Sequence, residues 1–401
     1  MLTAPKSLRL HIGIFGRRNA GKSSLLNRLT RQDVSIVSDI AGTTTDPVEK
    51  PMEFLPLGPV VFIDTAGIDD EGELGEQRIE RTQKLFDRTE LAIVVASEGE
   101  WTDYEHSLVA EFAARNVPVC VVFNKIDVAA PKQEIRNKIG QYDIVHSVVE
   151  VSLRDPDSLT IVREAILRCA PDEWVNAPSL LGDMVQPQDV VVLVIPIDKE
   201  APKGRIILPQ VQTLRDLLDN QCCSLVVKES ELAFALDLLK TRPKLVITDS
   251  QAFANVSQIV PEEIPLTGFS VLFARFKGDL KAFADGARTI DDLKPGDRIL
   301  IAESCSHHPI GDDIGRVKIP ALLRRKVGGD LVFDTVQGHD FPKNLSDYRL
   351  VIHCGACMTN RKEVLARILH CHRCGVPVTN YGMTIAFCLG LFKRALKPFG
   401  M

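Results

Sequence analysis

The sequence predicts an α/β chain, one larger domain followed by two smaller α/β domains, and three observations predict it. Short β-rich runs alternate with amphipathic segments, the pattern of βαβ units around parallel sheets. A glycine-rich loop, Gly16–Ser23, separates the first such run from the first amphipathic segment. Clusters of cysteine and histidine, Cys305-x-His307 and His353-Cys354-x-x-Cys357, follow two runs near the C-terminus.

The bulk properties bound the class. At 401 residues the chain can bury two or three hydrophobic cores. Hydrophobic residues make up 45% and charged residues 25%, ordinary for a globular protein. The net charge of −5 offers no electrostatic footprint for a polyanion, so no nucleic-acid partner is expected. No apolar run reaches the roughly 18–20 residues that span a bilayer. The longest, Val190–Pro196 and Thr384–Phe392, suit buried strands or short helices, so no membrane partner is expected either. The first residues lack the apolar core of a signal peptide. The ten cysteines therefore read as reduced thiols or metal ligands in a cytoplasmic protein.

The first domain, 1–172, contains candidate strands Leu10–Phe15, Pro59–Ile63, Leu91–Ala96, Val117–Phe123 and Val148–Val151. The stretch Ala170–Pro178 reads as a linker. A second domain, 173–262, combines strands at Val190–Ile197, Ser224–Val227 and Lys244–Thr248 with helices at Gln210–Leu218 and Glu231–Lys240. It has a core and no catalytic motif, which suits oligomerisation. The third domain, 263–401, has strands at Arg298–Ala302 and Asp347–Ile352 and helical spacing over Asn360–Leu369. No internal repeat is visible.

Gly16-Arg-Arg-Asn-Ala-Gly-Lys-Ser23 is a phosphate-binding loop in its required setting, strand before and helix (Ser24–Arg31) after. Gly16, Asn19, Ala20, Gly21, Ser23 and Ser24 would surround the phosphates, Lys22 would neutralise their charge, and the Ser23 hydroxyl would ligate Mg²⁺. Asp64-Thr-Ala-Gly67 follows a strand: Asp64 would reach Mg²⁺ through water and the Gly67 amide would sense the γ-phosphate. Thr43 and Thr44 lie in the intervening switch loop, with Thr44 the expected Mg²⁺ ligand. Asn124-Lys125-Ile-Asp127 follows another strand, and the Asp127 carboxylate matches the guanine N1 and N2 donors. Ser152-Leu153 stands where a backbone contact to guanine O6 is expected. The set describes a P-loop GTPase domain using GTP/GDP and Mg²⁺, with Lys22, Thr44, Asp64 and Gly67 in the catalytic roles.

The stretch Ser38–Asp46, together with Asn19, resembles the Era-like and tRNA-modification branch of GTPases. That resemblance implies K⁺ beside the phosphates with Asn19 as its ligand, and K⁺-stimulated hydrolysis. Ile68 follows Gly67 where other GTPases carry a water-orienting glutamine; Glu73 and Glu76 are candidates for that task.

Cys305 and Cys354 each follow a candidate strand. If those strands are parallel neighbours, both emerge at one carboxyl edge, and a helix starting near Thr359 would point its positive end at Cys354 and Cys357, lowering their thiol pKa. Three cysteines with one histidine would suit zinc; the same three cysteines would also suit a [4Fe–4S] cluster with an open iron. Glu303, His307, His308 and His353 are candidates for the fourth position. Cys371-x-x-Cys374 adds a second pair at zinc-ribbon spacing, although the intervening residues look helical. Cys120, Cys169, Cys222, Cys223 and Cys388 read as core cysteines.

Across the whole chain, the order of GTPase domain, middle domain and Cys305-x-His307…His353-Cys354-x-x-Cys357, with Val376–Gly382, resembles the [FeFe]-hydrogenase maturation GTPase family (HydF). The resemblance implies a homodimer and a [4Fe–4S] cluster on Cys305, Cys354 and Cys357 with a labile fourth ligand. It further implies a scaffold that accepts a diiron precursor from radical-SAM maturases and delivers it to apo-[FeFe]-hydrogenase. The alternative is an RNA-modification or ribosome-assembly GTPase with a structural zinc site. A radical-SAM enzyme is disfavoured because its CxxxCxxC spacing is absent.

Overall fold

Leu10–Phe15 is buried along its whole length and forms β1, the strand around which the first sheet is organised. The computed structural model describes residues 5–31, 48–65, 83–175, 179–197, 206–304 and 313–401. They form two units, 1–177 and 178–401.

The first unit is a six-stranded sheet in the order β2-β3-β1-β4-β5-β6. Strands β3 (Gly58–Asp64), β4 (Leu91–Ser97), β5 (Val119–Asn124) and β6 (Val145–Glu150) run parallel to β1. The unexpected element is β2 (Val48–Phe54), antiparallel on β3. Among its residues only Met52 and Phe54 are buried, so it lacks the continuous apolar run of the central strands. The unit extends through the expected linker because the Trp174 indole N–H donates to the Leu57 carbonyl at 3.0 Å.

The second unit holds two four-stranded sheets, each wholly parallel: β10-β9-β7-β8 and β12-β11-β13-β14. The first comprises β7 (Val190–Val194), β8 (Cys223–Val227), β9 (Leu245–Thr248) and β10 (Leu266–Gly268). The second comprises β11 (Arg298–Glu303), β12 (Val332–Gln337), β13 (Leu350–His353) and β14 (Val378–Asn380). The expected boundary after residue 262 does not match the sheets: β10 pairs with β9, so the middle sheet is completed beyond that point. A three-residue strand is too short to carry a period that sequence reading can detect.

The two sheets also repeat one another in structure, a likeness that the sequence does not display. Both sheets share one topology, the first strand flanked by the second and third and the fourth outside the third. Local chemistry repeats with it. Before β7, Asp189 Oδ2 accepts the Gln186 N–H at 2.8 Å; before β11, Asp297 Oδ2 accepts the Lys294 N–H at 2.8 Å. Gln188 (φ +73°) and Gly296 (φ +92°) take the same left-handed place in these turns. Leu-Val-Ile begins both β9 and β13, and the N–H groups of Val246 and Val351 each donate to a proline carbonyl, Pro265 and Pro377, at 2.9 Å. The two stretches share too few identities elsewhere to reveal themselves as sequence.

Cys120, Cys169, Cys222 and Cys371 are buried. Cys223, read as a core residue, is exposed: strand alternation turns it away from the face that takes in Cys222. Cys388 is half-buried. Among the described residues no helix is long and apolar enough to cross a membrane.

Glycine is required where the Leu280–Arg288 helix covers β14. A Cβ on Gly286 would lie 2.0 Å from the Val378 carbonyl oxygen. Gly286→Val is expected to destabilise the second unit by about 1–3 kcal/mol, the usual cost of overpacking, read as a lower urea midpoint; an unchanged midpoint would show that the helix does not hold this contact.

Candidate functional site

Two groups of predicted residues gather at carboxyl ends of parallel strands, one in each unit. In the first unit, β1 runs into Gly16 (φ +145°), where a Cβ would lie 2.2 Å from the Val95 carbonyl oxygen. Only glycine fits there. Asn19 follows in the left-handed region (φ +62°), and the Lys22–Arg31 helix begins the phosphate side. The Lys22 ammonium is buried and donates to the Gly16 carbonyl and, at 3.0 Å, to that of Arg17. Ser23 and Ser24 are exposed on the first helical turn. Asp64 is buried at the end of β3, in register with Ile14, whose carbonyl accepts the Thr65 hydroxyl at 2.7 Å.

Asn124, the last residue of β5, ties the site together. Its Nδ2 donates to the Ala20 carbonyl at 2.9 Å and its Oδ1 accepts the Leu153 N–H at 3.1 Å. That crossing explains Gly21, where a Cβ would lie 2.3 Å from Asn124 Nδ2. Lys125 (φ +60°) pairs with Glu98 at 2.9 Å. The Asp127 carboxylate accepts from Ser152 Oγ at 2.7 Å and pairs with Arg154 at 3.1 Å. The Ser152 hydrogen bond, with Arg154 adding to it, holds this carboxyl below the usual range.

A cleft of about 550 Å³, lined by Asn19, Lys22, Ser23, Asn124, Asp127 and Ser152 among others, has a size ordinary for a small-molecule ligand. Sequence reading missed Arg18, Val128 and Arg154 in its lining and Arg28, which donates to the carbonyls of Leu153 and Asp155. Proximity to the motifs was the available signal for Arg18, Val128 and Arg154; Arg28 has none, since only folding brings it to Leu153. Thr43, Thr44, Gly67, Ile68, Glu73 and Glu76 lie outside the described residues.

In the second unit, β11 and β13 are parallel neighbours with Ala302 opposite His353, as the cysteine reading required. They are also the pair between which the strand order reverses, so their loops diverge and leave a crevice. Cys354 N–H donates to the Ala302 carbonyl at 2.9 Å, and Ser304 N–H donates to Cys354 Sγ at 3.1 Å. Cys305, His307 and His308 lie outside the described residues, but Cys305 is bonded directly to Ser304. Cys357 is half-buried.

Burial pushes the Cys354 thiol up, against the lowering that the helix dipole suggests; hydrogen bonds from Ser304 and the Ala356 amide oppose the shift. The helix itself spans Arg361–Arg373, capped by Asn360, whose side chain accepts the Glu363 N–H at 3.2 Å. Ala356, between the two cysteines, is left-handed (φ +53°), a conformation costing roughly 1–2 kcal/mol without glycine.

Of the candidate fourth ligands, His353 is buried with both ring nitrogens occupied. Nδ1–H donates to the Cys354 carbonyl at 2.9 Å and Nε2 accepts from Arg367 at 3.1 Å. Burial and the Arg367 charge push its pKa down to about 4, so the ring is neutral. Glu303 is buried and accepts from Gln337 at 3.1 Å, Arg316 at 3.3 Å and the Tyr381 hydroxyl at 3.3 Å. Burial, with Cys354 and Glu303 nearby, pushes the Tyr381 phenol well up.

Among the described residues no group of three or more His, Cys, Asp or Glu side chains converges as metal ligands. The donor chemistry nevertheless fits an iron–sulfur cluster: Cys354 and Cys357 share one loop, a backbone N–H already points at a sulfur, and Cys305 adjoins that donor. The zinc-ribbon pairing is not assembled. Cys371 is buried in the Arg361–Arg373 helix, where burial pushes its thiol up to about 12, and Cys374 is exposed.

Comparison with known proteins matches three segments of the chain. Residues 11–125 match a family described as 50S ribosome-binding GTPase, 180–278 the hydrogen maturase F dimerization domain, and 281–398 the hydrogen maturase F tetramerization domain. A tRNA modification GTPase MnmE from Chromobacterium violaceum is 34% identical over 159 residues, 39% of this chain and 34% of that protein. A GTPase Der from Wolinella succinogenes is 33% identical over 175 residues, 41% of this chain and 36% of that protein. The chain thus spans about a third of the length of these relatives. The structure of Era from Aquifex aeolicus bound to GDP and AlF4⁻ aligns with a TM-score of 0.33 at 22% identity, over 54% of this chain and 92% of that one.

The Asn124 bridge makes a direct prediction. Asn124→Ala removes two hydrogen bonds, each worth about 1 kcal/mol, and is expected to weaken guanine-nucleotide binding roughly tenfold or more in a fluorescent-nucleotide titration. An unchanged affinity would mean that the loops hold their places without it.

Proposed function

Because the chain belongs to the hydrogen maturase F family, we propose that it is a GTP-hydrolysing scaffold that carries a [4Fe–4S] cluster and delivers a diiron precursor to apo-[FeFe]-hydrogenase. The precursor is the cargo, received from radical-SAM maturases. The observation that carries this reading is the convergence at one strand-order reversal of Cys354, Cys357 and the residue preceding Cys305, on a chain that also holds a guanine-nucleotide cleft. Self-association through both C-terminal segments accords with the two domain families matched there.

In the nucleotide cleft, Asp127 accepts the guanine N1 and N2 protons, giving up part of its bonding to Ser152 and Arg154. Asn124 holds the base loop against the phosphate loop while this exchange occurs. Lys22 turns from the Gly16 and Arg17 carbonyls to the β- and γ-phosphates. Ser23, Asp64 and Thr44 would hold Mg²⁺, and Asn19 would hold K⁺, which together would supply positive charge beside the phosphates. GTP binding and hydrolysis then favour one state of partner association over another.

At the other site, Cys305, Cys354 and Cys357 would hold the cluster, which supplies an iron with an exchangeable position for cargo. The protein's own part is to present three thiolates, to donate the Ser304 N–H to sulfur, and to keep His353 neutral and turned to Arg367. Glu303, His307 and His353 are the candidates for the exchangeable position; His353 would first have to release Arg367.

Two measurements test the reading. Anaerobically reconstituted, dithionite-reduced protein is expected to give a [4Fe–4S]⁺ EPR signal that Cys354→Ala abolishes; tightly bound zinc with no such signal would remove the scaffold's chemical basis. GTP turnover is expected to be faster in KCl than in NaCl, and equal rates would eliminate the K⁺ assignment.

A further inference from the structure

We propose that Lys277, at the end of the Phe269–Lys277 helix, is a positioning residue that shapes the Cys354–Thr359 loop and sets the charge felt by the cluster held there; the cluster part rests on the function proposed above. Lys277 lies in the segment matched to the dimerization domain, whereas the cysteine loop lies in the segment matched to the tetramerization domain. The contact therefore joins two segments that the sequence presents as separate.

Lys277 is 2% exposed. Its Nζ donates to the Ala356 carbonyl at 2.9 Å and to the Thr359 carbonyl at 2.9 Å. These two carbonyls bracket Cys357. A second tie comes from the same helix end, where Arg361 Nη1 donates to the Phe276 carbonyl at 2.5 Å. Thr359 in turn reaches the other side of the crevice, its hydroxyl donating to Ser304 Oγ at 3.3 Å. The helix end, the cysteine loop and the residue before Cys305 form one connected set.

The left-handed backbone of Ala356 is the independent sign that the loop is held rather than relaxed. An alanine adopts that conformation where its surroundings impose it. Lys277 supplies the imposition: it fixes the direction of the Ala356 carbonyl. Because the peptide is planar and trans, this turns the Cys357 N–H away from Lys277. A lysine suits the task, since a compact ammonium on a flexible stem donates to several carbonyls at once.

The charge has a second consequence. The Lys277 ammonium binds carbonyls on either side of Cys357, so a cluster held on this loop would place negative charge near a buried positive one. Lys277 therefore favours the more negative, reduced form of the cluster and raises its midpoint potential.

The test uses the full-length protein in two states. In the metal-free state, Cys357 alkylation by iodoacetamide, followed by mass spectrometry, is expected to be roughly tenfold faster in Lys277→Met than in the parent, because the loop opens more readily. Lys277→Arg is expected to restore slow alkylation. In the reconstituted state, the EPR-monitored midpoint potential is expected to fall in Lys277→Met and to recover in Lys277→Arg. Lys277→Gln keeps N–H donors without charge; it is expected to alkylate near the parent rate with a lowered potential, and it serves if the methionine variant does not fold. Alkylation unchanged in Lys277→Met would overturn the positioning role, and an unchanged potential would overturn the charge role. If the parent takes up no cluster, the scaffold reading fails, and the alkylation rates alone decide the role of Lys277.

Discussion

Parallel pairing on both sides of a first strand is the constraint on which both functional regions depend. β1 lies between β3 and β4, and β11 lies between β12 and β13. When successive crossovers leave a strand in opposite directions, the loops at its carboxyl end separate and a crevice opens. The phosphate loop emerges from one such edge. Ser304 and Cys354 emerge from the other, held by the Ala302–His353 register and the Ser304 N–H on sulfur. Neither arrangement survives a change of strand order.

The second unit uses this device twice. The β7–β10 and β11–β14 sheets have the same order, the same entry turn and the same proline carbonyl before the last strand, yet they carry different chemistry. Sheet register places Thr248 opposite Val194 in one and His353 opposite Ala302 in the other. The residues that follow are Asp249-Ser250 in the first and Cys354-Gly355 in the second. A common scaffold thus presents thiols at one edge and oxygen-bearing side chains at the other, which is why fold by itself assigns no function to either.

Electrostatics is arranged by burial as much as by charge. His353 is neutral because burial and Arg367 oppose a proton on it. The Arg367 guanidinium also pairs with Glu363 at 2.7 Å, and Glu363 meets His339 at 3.1 Å. The histidine beside the first loop cysteine is therefore anchored in a polar network reaching toward the surface. In the nucleotide cleft the pattern differs: Asp127 is held as an accepting carboxylate by Ser152 and Arg154, so this carboxylate is charged and oriented in advance.

Much of this was legible in the sequence, and for one reason. Residues 16–23, 124–127 and 354–357 form motifs whose members lie close together along the chain, so each motif carries its own local geometry. The long apolar runs of β1, β4 and β5 were legible because a central parallel strand is buried on both faces. The sequence also named the candidate residues for phosphate, guanine and a thiolate-bound metal. It did not show β2, β10, β12 or β14, whose identity as strands comes from their partners. It left open the displacement of Cys371 into a helix core, the occupation of both His353 nitrogens, the crossing of Asn124 above Gly21, and the reach of Lys277 into the cysteine loop. Only tertiary structure decided these, because each is a contact between distant residues, and pairing at a distance follows from packing and register rather than from local pattern.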